Sequence, residues 1–307
     1  MIDRRHHNLK SGIISVLQTP FGPTGAVDFA SLARLVEDAI RSGVDGFLAP
    51  AVASEVDYLT PGEREKIVRT IATIVDRRVP LVVGASSAEI GLCRQFLALA
   101  EEVGADACLV AVPAGLYEKT QQVVPFFGQV ASTIEVPLLI QDLQWNGPGL
   151  ELDTIAQLRA ALPTLIGLKI ETIPAGPKYT AVREKFGEDF FIAGGWAVPQ
   201  WIEALDRGID AMIPESAMIG VYAEVLARYR SGRRGAALEL FRQLLPVLAY
   251  SNQEISVAIA FFKRLLVRRG VFSSERMRIP GFVWDDYNTR IAAELIELYL
   301  DLESPGD

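Results

Sequence analysis

Residues 165–172 read LIGLKIET, an apolar run interrupted by a single ammonium group. A run of this length and composition is the signature of a strand buried on both faces, where a lysine is costly to desolvate. The other lysines are Lys10, Lys66, Lys119, Lys178, Lys185 and Lys263. None of these interrupts a candidate strand, and Lys263, in the helical pattern VAIAFFKRLL, has a stem long enough to snorkel to solvent. Burial favours the neutral form of an amine. A neutral lysine condenses with a 2-keto acid to an imine, an electron sink for carbon–carbon cleavage, condensation or dehydration. Side chains alternate along a strand, so Glu171 shares a face with Lys169. A further carboxyl, Glu215, lies in the apolar run AMIPES. Lys169, Glu171 and Glu215 thus form a candidate set of nucleophile and proton carriers. The alternative is a lysine that the two acids neutralise for structure alone. The only histidines, His6 and His7, stand in the polar opening stretch, so the chemistry is expected to run without histidine.

Something must position that lysine. The chain alternates short β-branched runs with longer amphipathic segments, the pattern of repeated βα units around a parallel sheet. The strand candidates are GIISVL (12–17), DGFLAP (45–50), VPLVVGA (79–85), ACLVAVP (107–113), VPLLIQD (136–142), LIGLKIE (165–171), FFIAGG (190–195) and AMIPES (211–216). Between them lie helical patterns such as FASLARLVEDAIRSG, PGEREKIVRTIATIVD with Thr60 as N-cap, and AEIGLCRQFLALAEEVG ending at Gly104. Eight units in this length predict an α/β fold, a (β/α)8 TIM barrel over 1–222. A helical extension follows over 223–307, interrupted near Gly270 to Pro280. In such a barrel the active site is built at the C-terminal ends of the strands, where Lys169 and Glu171 fall.

With 307 residues and 50% hydrophobic content the chain can bury a large core. Its formal net charge of -8, with no basic block, argues against nucleic-acid or anionic-membrane partners. No apolar run approaches a membrane span, and no apolar stretch follows the charged opening residues, so a cytoplasmic protein acting on small molecules is expected. Cys93 and Cys108 have neither the count nor the spacing of a disulfide framework or a zinc site and read as reduced core thiols. Gly194 and Gly195 follow the seventh run, where many barrels bind phosphate. The preferred alternative is that these glycines let backbone or substrate approach closely. Trp145, Trp196 and Trp201, near predicted strand ends, either wall the pocket or pack helix against sheet.

Gly12 to Phe21 with its TPF, GVDGFLAP, LTPGERE, VPLVVGAS, GADACLVAVP, GLK at 167–169 and FKRLLVRRGVFSSERMRIP at 262–280 together resemble the dihydrodipicolinate synthase and N-acetylneuraminate lyase family. The resemblance covers nearly the whole chain. It implies a class I lyase that needs no metal or other cofactor and binds pyruvate or a related 2-keto acid or sugar acid at Lys169. It also implies a homo-oligomer, dimer or tetramer. Where the family carries GTTGE this chain has Ala51, Val52, Ala53, Ser54 and Glu55, without the threonine hydroxyls. The backbone amides of Ala53 and Ser54 are then expected to hold the keto-acid carboxylate.

The family's proton-shuttling tyrosine aligns with Gln141, which can hydrogen-bond but not transfer a proton. Its tyrosine pair aligns with Ala114 and Gly115, with Tyr117 close behind. Its substrate-binding arginine loop aligns with Gln144, Trp145, Asn146 and Gly147. Glu215 shares parity with Ile213, a pocket-lining position of the family, and Gly194 is glycine there too. These departures imply a divergent member, not a true dihydrodipicolinate synthase. Three readings follow: an imine-forming aldolase, synthase or dehydratase; a degenerate barrel that only binds a keto acid or sugar acid; and a phosphate-dependent aldolase with its anion at Gly194 and Gly195.

Overall fold

The computed structural model describes residues 8–9, 11–131, 134–196 and 198–303; His6, His7 and Lys10 lie outside the described residues. Eight parallel strands close into a barrel in sequence order. They are β1 (Gly12–Val16), β2 (Gly46–Ala49), β3 (Leu81–Gly84), β4 (Ala107–Ala111), β5 (Leu138–Leu143), β6 (Leu165–Glu171), β7 (Phe191–Gly194) and β8 (Ala211–Met212). The helices that alternate with them are α1 (Phe29–Arg41), α2 (Pro61–Val75), α3 (Ile90–Glu102), α4 (Val123–Val130), α5 (Leu152–Ala161), α6 (Ala175–Phe186), α7 (Trp201–Asp206) and α8 (Ile219–Arg230). Three more follow: α9 (Arg234–Ser251), α10 (Ile255–Arg268) and α11 (Asp286–Glu303).

Local chemistry explains the helix ends. Asp28 caps α1 by accepting the Ser31 amide at 3.0 Å. At α2 the Thr60 amide donates to Glu63 at 2.9 Å while Thr60 Oγ1 accepts the Glu63 amide at 3.2 Å, a reciprocal capping box. After α3, Gly104 takes φ +67° and turns the chain toward β4. Among strands, β6 has the bounds its sequence predicts, whereas β8 is only two residues long. Beyond its end at Met212, Glu215 makes an isolated parallel bridge to Val16.

The chain separates into two compact units. The first comprises residues up to 14, 45–49 and 75–214. Within it, strand register sets Gln141 of β5 level with Lys169 of β6, and Lys169 level with Ala193 of β7. Leu139, Ile140, Leu168 and Ile170 surround these positions with apolar core. Cys93 and Cys108 are buried in this unit and form no disulfide.

The second unit comprises residues 15–44, 50–74 and 215 onward. Its helices pack through Leu244, Val247, Phe261, Leu265 and Ile296. Arg269 ties α1 to α11, reaching Asp38 at 2.8 Å and Glu303 at 3.0 Å. Lys263 does not snorkel: its exposure is 0%, because α10 is buried almost continuously from Ala258 to Leu266. Its ammonium pairs with Glu55, donates to Arg276 O at 2.9 Å and lies 4.4 Å from the Phe21 ring centroid. Glu55 sits at φ +57° and also accepts the amides of Arg278 at 2.6 Å and Ile279 at 3.2 Å. Burial lowers the Lys263 pKa to about 8, against the opposing pull of Glu55. No helix of the described residues is long and apolar enough to cross a membrane.

The buried pair generates a stability prediction. Lys263→Met leaves the Glu55 carboxylate without its counter-ion and should cost about 3–5 kcal/mol, whereas loss of a surface pair would cost under about 1 kcal/mol. Denaturant midpoints check this, and adding Glu55→Gln should restore part of the loss.

Candidate active site

Lys169 and Glu171 lie on the same face of β6, and both are almost fully buried. Lys169 Nζ stands 3.1 Å from Glu171 Oε2. The same oxygen accepts the side-chain amide of Gln141, one strand over, at 2.5 Å. The other carboxylate oxygen, Oε1, accepts the backbone amide of Trp196 at 2.9 Å. Every donor on Glu171 therefore belongs to β5, β6 or the turn after β7, and together they fix both oxygens. Gly195 makes this arrangement possible. A Cβ there would fall 2.1 Å from Glu171 Oε1 and 2.6 Å from Lys169 Cε, so only glycine lets the turn come so close.

Gly194 lies at the end of β7 and accepts the Ile213 amide at 2.8 Å through its carbonyl. A Cβ on Gly194 would meet the Tyr179 hydroxyl oxygen at 2.5 Å. The glycine pair thus serves close approach of side chains. Ile213 is buried just past β8.

Tyr117 follows a short turn at Ala114–Leu116, and its hydroxyl donates to Asp142 at 3.0 Å rather than to the lysine. Burial and the Asp142 charge push the Tyr117 pKa far up, which leaves it a poor proton carrier. By parity Asp142 reads from sequence as a loop or cap residue, yet it lies within β5 and is fully buried. It caps from the strand, accepting the Leu150 amide at 3.0 Å. Burial raises its pKa, opposed chiefly by the Lys178 charge at 3.6 Å.

Lys178 in turn donates to the carbonyls of Pro148, at 3.0 Å, and Leu150. Burial lowers its pKa, and Asp142 draws it back. These bonds strap residues 144–150 across the ends of β5 and β6. The Gln144 amide reaches Glu171 O at 3.2 Å, and the Ile173 amide reaches Gly147 O at 3.3 Å. Within the strap, Trp145 meets Trp196 edge to face with centroids 5.1 Å apart. Trp201 instead is wholly buried in α7. Sequence reasoning missed Asp142 and Lys178 as a pair. The one local signal was the turn-forming NGPG that follows the strand.

The remaining predicted residues belong to the second unit. Val52–Ser54 form a single 3-10 turn. The Ser54 amide, expected to face a carboxylate, is donated to Ala51 O at 2.9 Å. The Ser54 hydroxyl is likewise committed, donating to Leu17 O at 2.6 Å and accepting the Ala51 amide at 3.0 Å. The paired amides of Ala53 and Ser54 are therefore not both presented outward; Ala53 itself is half-buried. Glu215 bridges to Val16 in the backbone. Its Oε2 accepts the Ala217 amide and, at 3.5 Å, the Gln18 side chain, while Oε1 has no hydrogen-bond partner. Burial raises the Glu215 pKa to about 7, against the lowering pull of the Ala217 amide, Gln18, Arg269 and Tyr222.

A closed barrel with a buried lysine–carboxylate pair at the ends of its strands is the architecture of a lysine-dependent barrel lyase. The sequence model of the dihydrodipicolinate synthetase family matches residues 9–296, and the chain belongs to that family. Among curated relatives, the L-2-keto-3-deoxyarabonate dehydratase of Azospirillum brasilense is 29% identical over 276 residues, 88% of each chain. The 4-hydroxy-tetrahydrodipicolinate synthase of Bartonella bacilliformis is 28% identical over 244 residues, 77% of this chain and 81% of the other. Among solved structures, the dihydrodipicolinate synthase of Rhodopseudomonas palustris superposes with a TM-score of 0.85 at 23% identity, covering 94% of this chain and 97% of the other. This likeness shares the barrel and its added helices.

The raised pKa of Glu215 generates a pH prediction. Between its unfolded value near 4.5 and its folded value of about 7, the native state holds the proton that the unfolded chain has released. The stabilisation is therefore full at low pH and is lost as pH rises through about 7, by on the order of 3 kcal/mol. Denaturant midpoints at pH 5 and pH 8 should show Glu215→Gln gaining on the parent protein at the higher pH.

Proposed function

We propose that the chain is a lysine-imine lyase that dehydrates a 2-keto-3-deoxy sugar acid, with Lys169 as the nucleophile and Glu171 as the proton carrier. The observation that carries this reading is the 3.1 Å contact between Lys169 Nζ and a Glu171 carboxylate whose two oxygens are fixed by Gln141 and the Trp196 amide. The Glu171 carboxylate takes a proton from the Lys169 ammonium, the freed amine adds to the C2 carbonyl, and the same proton, returned to the carbinolamine hydroxyl, carries it off as water to leave a protonated imine. The imine acidifies the C3 hydrogens, and the Glu171 carboxylate takes one of them, leaving an enamine. The enamine electrons expel the C4 hydroxyl, which leaves as water with the proton held by Glu171. Hydrolysis of the imine frees Lys169, and the net change is loss of one water. Gln141 moves no proton; it aims the carboxylate.

Dehydration is favoured over condensation for a chemical reason. It needs one group that removes a proton and returns it one carbon away, which a single fixed carboxylate supplies. Condensation with a second carboxylate-bearing substrate needs a cation for that substrate, and the strap 144–150 carries none. The similarity to the Azospirillum dehydratase over 88% of the chain supports the same choice. Pyruvate, the parent 2-keto acid, is expected to form the same imine without reacting further. The exposed apolar side chains of Val283 and Tyr287 support a homo-oligomer, dimer or tetramer, and the acidic charge and two cysteines outside any disulfide support a cytoplasmic setting.

Borohydride reduction with pyruvate or a 2-keto-3-deoxy aldonic acid should place one adduct on the peptide that contains Lys169, and Lys169→Ala should abolish both adduct and turnover. Glu171→Gln keeps the shape and removes the proton carrier. Its turnover should fall by roughly 100-fold or more while adduct formation is largely kept. An adduct on another lysine, or full activity in Glu171→Gln, would overturn the assignment. Condensation of pyruvate with aspartate semialdehyde should be slower than dehydration by on the order of 100-fold.

A further inference from the structure

In the second unit, the segment between α10 and α11 lines a cavity that the lysine chemistry does not use. Side chains alternate along this segment. Arg276 and Arg278 turn one way, donating to Pro23 O at 2.8 Å and to Glu63 at 2.6 Å, whereas Met277 and Ile279 turn into the cavity. After Gly281, at φ +76°, Phe282 and Trp284 face the same cavity, while Val283 between them is 84% exposed. Ala260 and Arg264, one turn apart on α10, close it. The cavity holds about 340 Å³, the small end of the range for small-molecule sites. Its walls are well held. Trp284 meets Phe282 edge to face with centroids 6.0 Å apart and Tyr250 at 6.2 Å, and the Tyr250 hydroxyl donates to Asn288 O of α11 at 3.2 Å. On the other side, Lys263 donates to the Arg276 carbonyl and Glu55 accepts the Arg278 and Ile279 amides, so the buried ion pair fixes the wall of Met277 and Ile279.

Arg264 gives this cavity its charge. Its guanidinium lies 5.5 Å from the Trp284 ring centroid and makes no hydrogen bond among the described residues. Its counter-ion is Glu275, 4.0 Å away with a side chain 58% exposed. A pair that long and that wet holds its members weakly. We infer that the cavity is a binding site for a small monocarboxylic acid with an aromatic body, its carboxylate on Arg264 and its ring in the corner between Trp284 and Phe282. A guanidinium fork meets a carboxylate through two parallel hydrogen bonds, and its weak hydration makes it an easy cation to desolvate. Trp284 and Phe282 stand 78° apart, so one ring placed between them gains a stacked and an edge-to-face contact together. A cationic ligand is disfavoured because Arg264 already covers the indole. A dianion would bring its second charge to a lining that has no second cation and carries Glu275. The inference does not depend on Lys169.

The probe is 3-phenylpropionate, which has no keto group and so forms no imine. Calorimetry on the full chain should show saturable binding with a dissociation constant on the order of 0.1–1 mM. The alcohol 3-phenylpropanol, which keeps the ring and loses the charge, should bind at least roughly 10-fold more weakly. Arg264→Gln should weaken binding of the acid by roughly 10-fold or more, and Trp284→Leu should weaken it several-fold. Glu275→Gln should act the other way and tighten binding by about 2-fold to 5-fold, because it removes the anion that the ligand displaces. Opposite changes from two substitutions in one cavity cannot come from a shared loss of folded protein. Lys169→Ala should bind the acid as the parent protein does. No saturation up to about 10 mM, a dissociation constant unmoved by Arg264→Gln, or weaker binding in Glu275→Gln would overturn the proposal. Binding lost in Lys169→Ala would also overturn it, by assigning the acid to the imine lysine.

Discussion

Everything at the mouth of the first unit depends on keeping a lysine and a carboxylate together away from water. A pair at 3.1 Å, both members nearly buried, gains attraction from its surroundings only if the remaining lone pairs are also met. The structure meets them with one side-chain amide and one backbone amide. Those donors in turn require the register that sets Gln141 level with Lys169, and a glycine where the turn after β7 presses on the pair. The barrel is thus more than a scaffold for the site: the parallel register of three consecutive strands is what satisfies the pair.

The same dependence explains what the sequence revealed. Lys169 was legible because an ammonium in LIGLKIE violates the apolar pattern of a buried strand, and Glu171 because strand parity is a local rule. The bounds of β6 followed from the same run. Strand parity had little to act on at Glu215, since β8 is only two residues long and Glu215 makes an isolated bridge to Val16. The snorkelling expected of Lys263 failed for a different reason. A helix pattern gives the face of a residue but not whether a distant carboxylate, here Glu55, meets it. Ser54 shows the third limit: whether an amide is free for a ligand depends on a single turn of 3-10 geometry, invisible in the residue types.

The replacements at Gln141 and in the strap make sense together. Glutamine, level with Lys169, carries no hydroxyl, and its side-chain amide binds the Glu171 carboxylate that shares a strand face with the lysine. Tyr117, the nearest tyrosine to the lost pair, has meanwhile been recruited to Asp142.

The strap owes its path to anchors outside itself. Asp142 belongs to β5, Lys178 to α6 and Thr172 to the end of β6, and each contacts the strap near its fixed glycine–proline–glycine segment. Its tip, Trp145 and Asn146, is exposed and supplies none of these anchors. Divergence within such a lineage therefore has a cheap route. Two codons at the tip can be rewritten while the anchors stay untouched, so the surface beside the barrel mouth can change without placing the fold at risk.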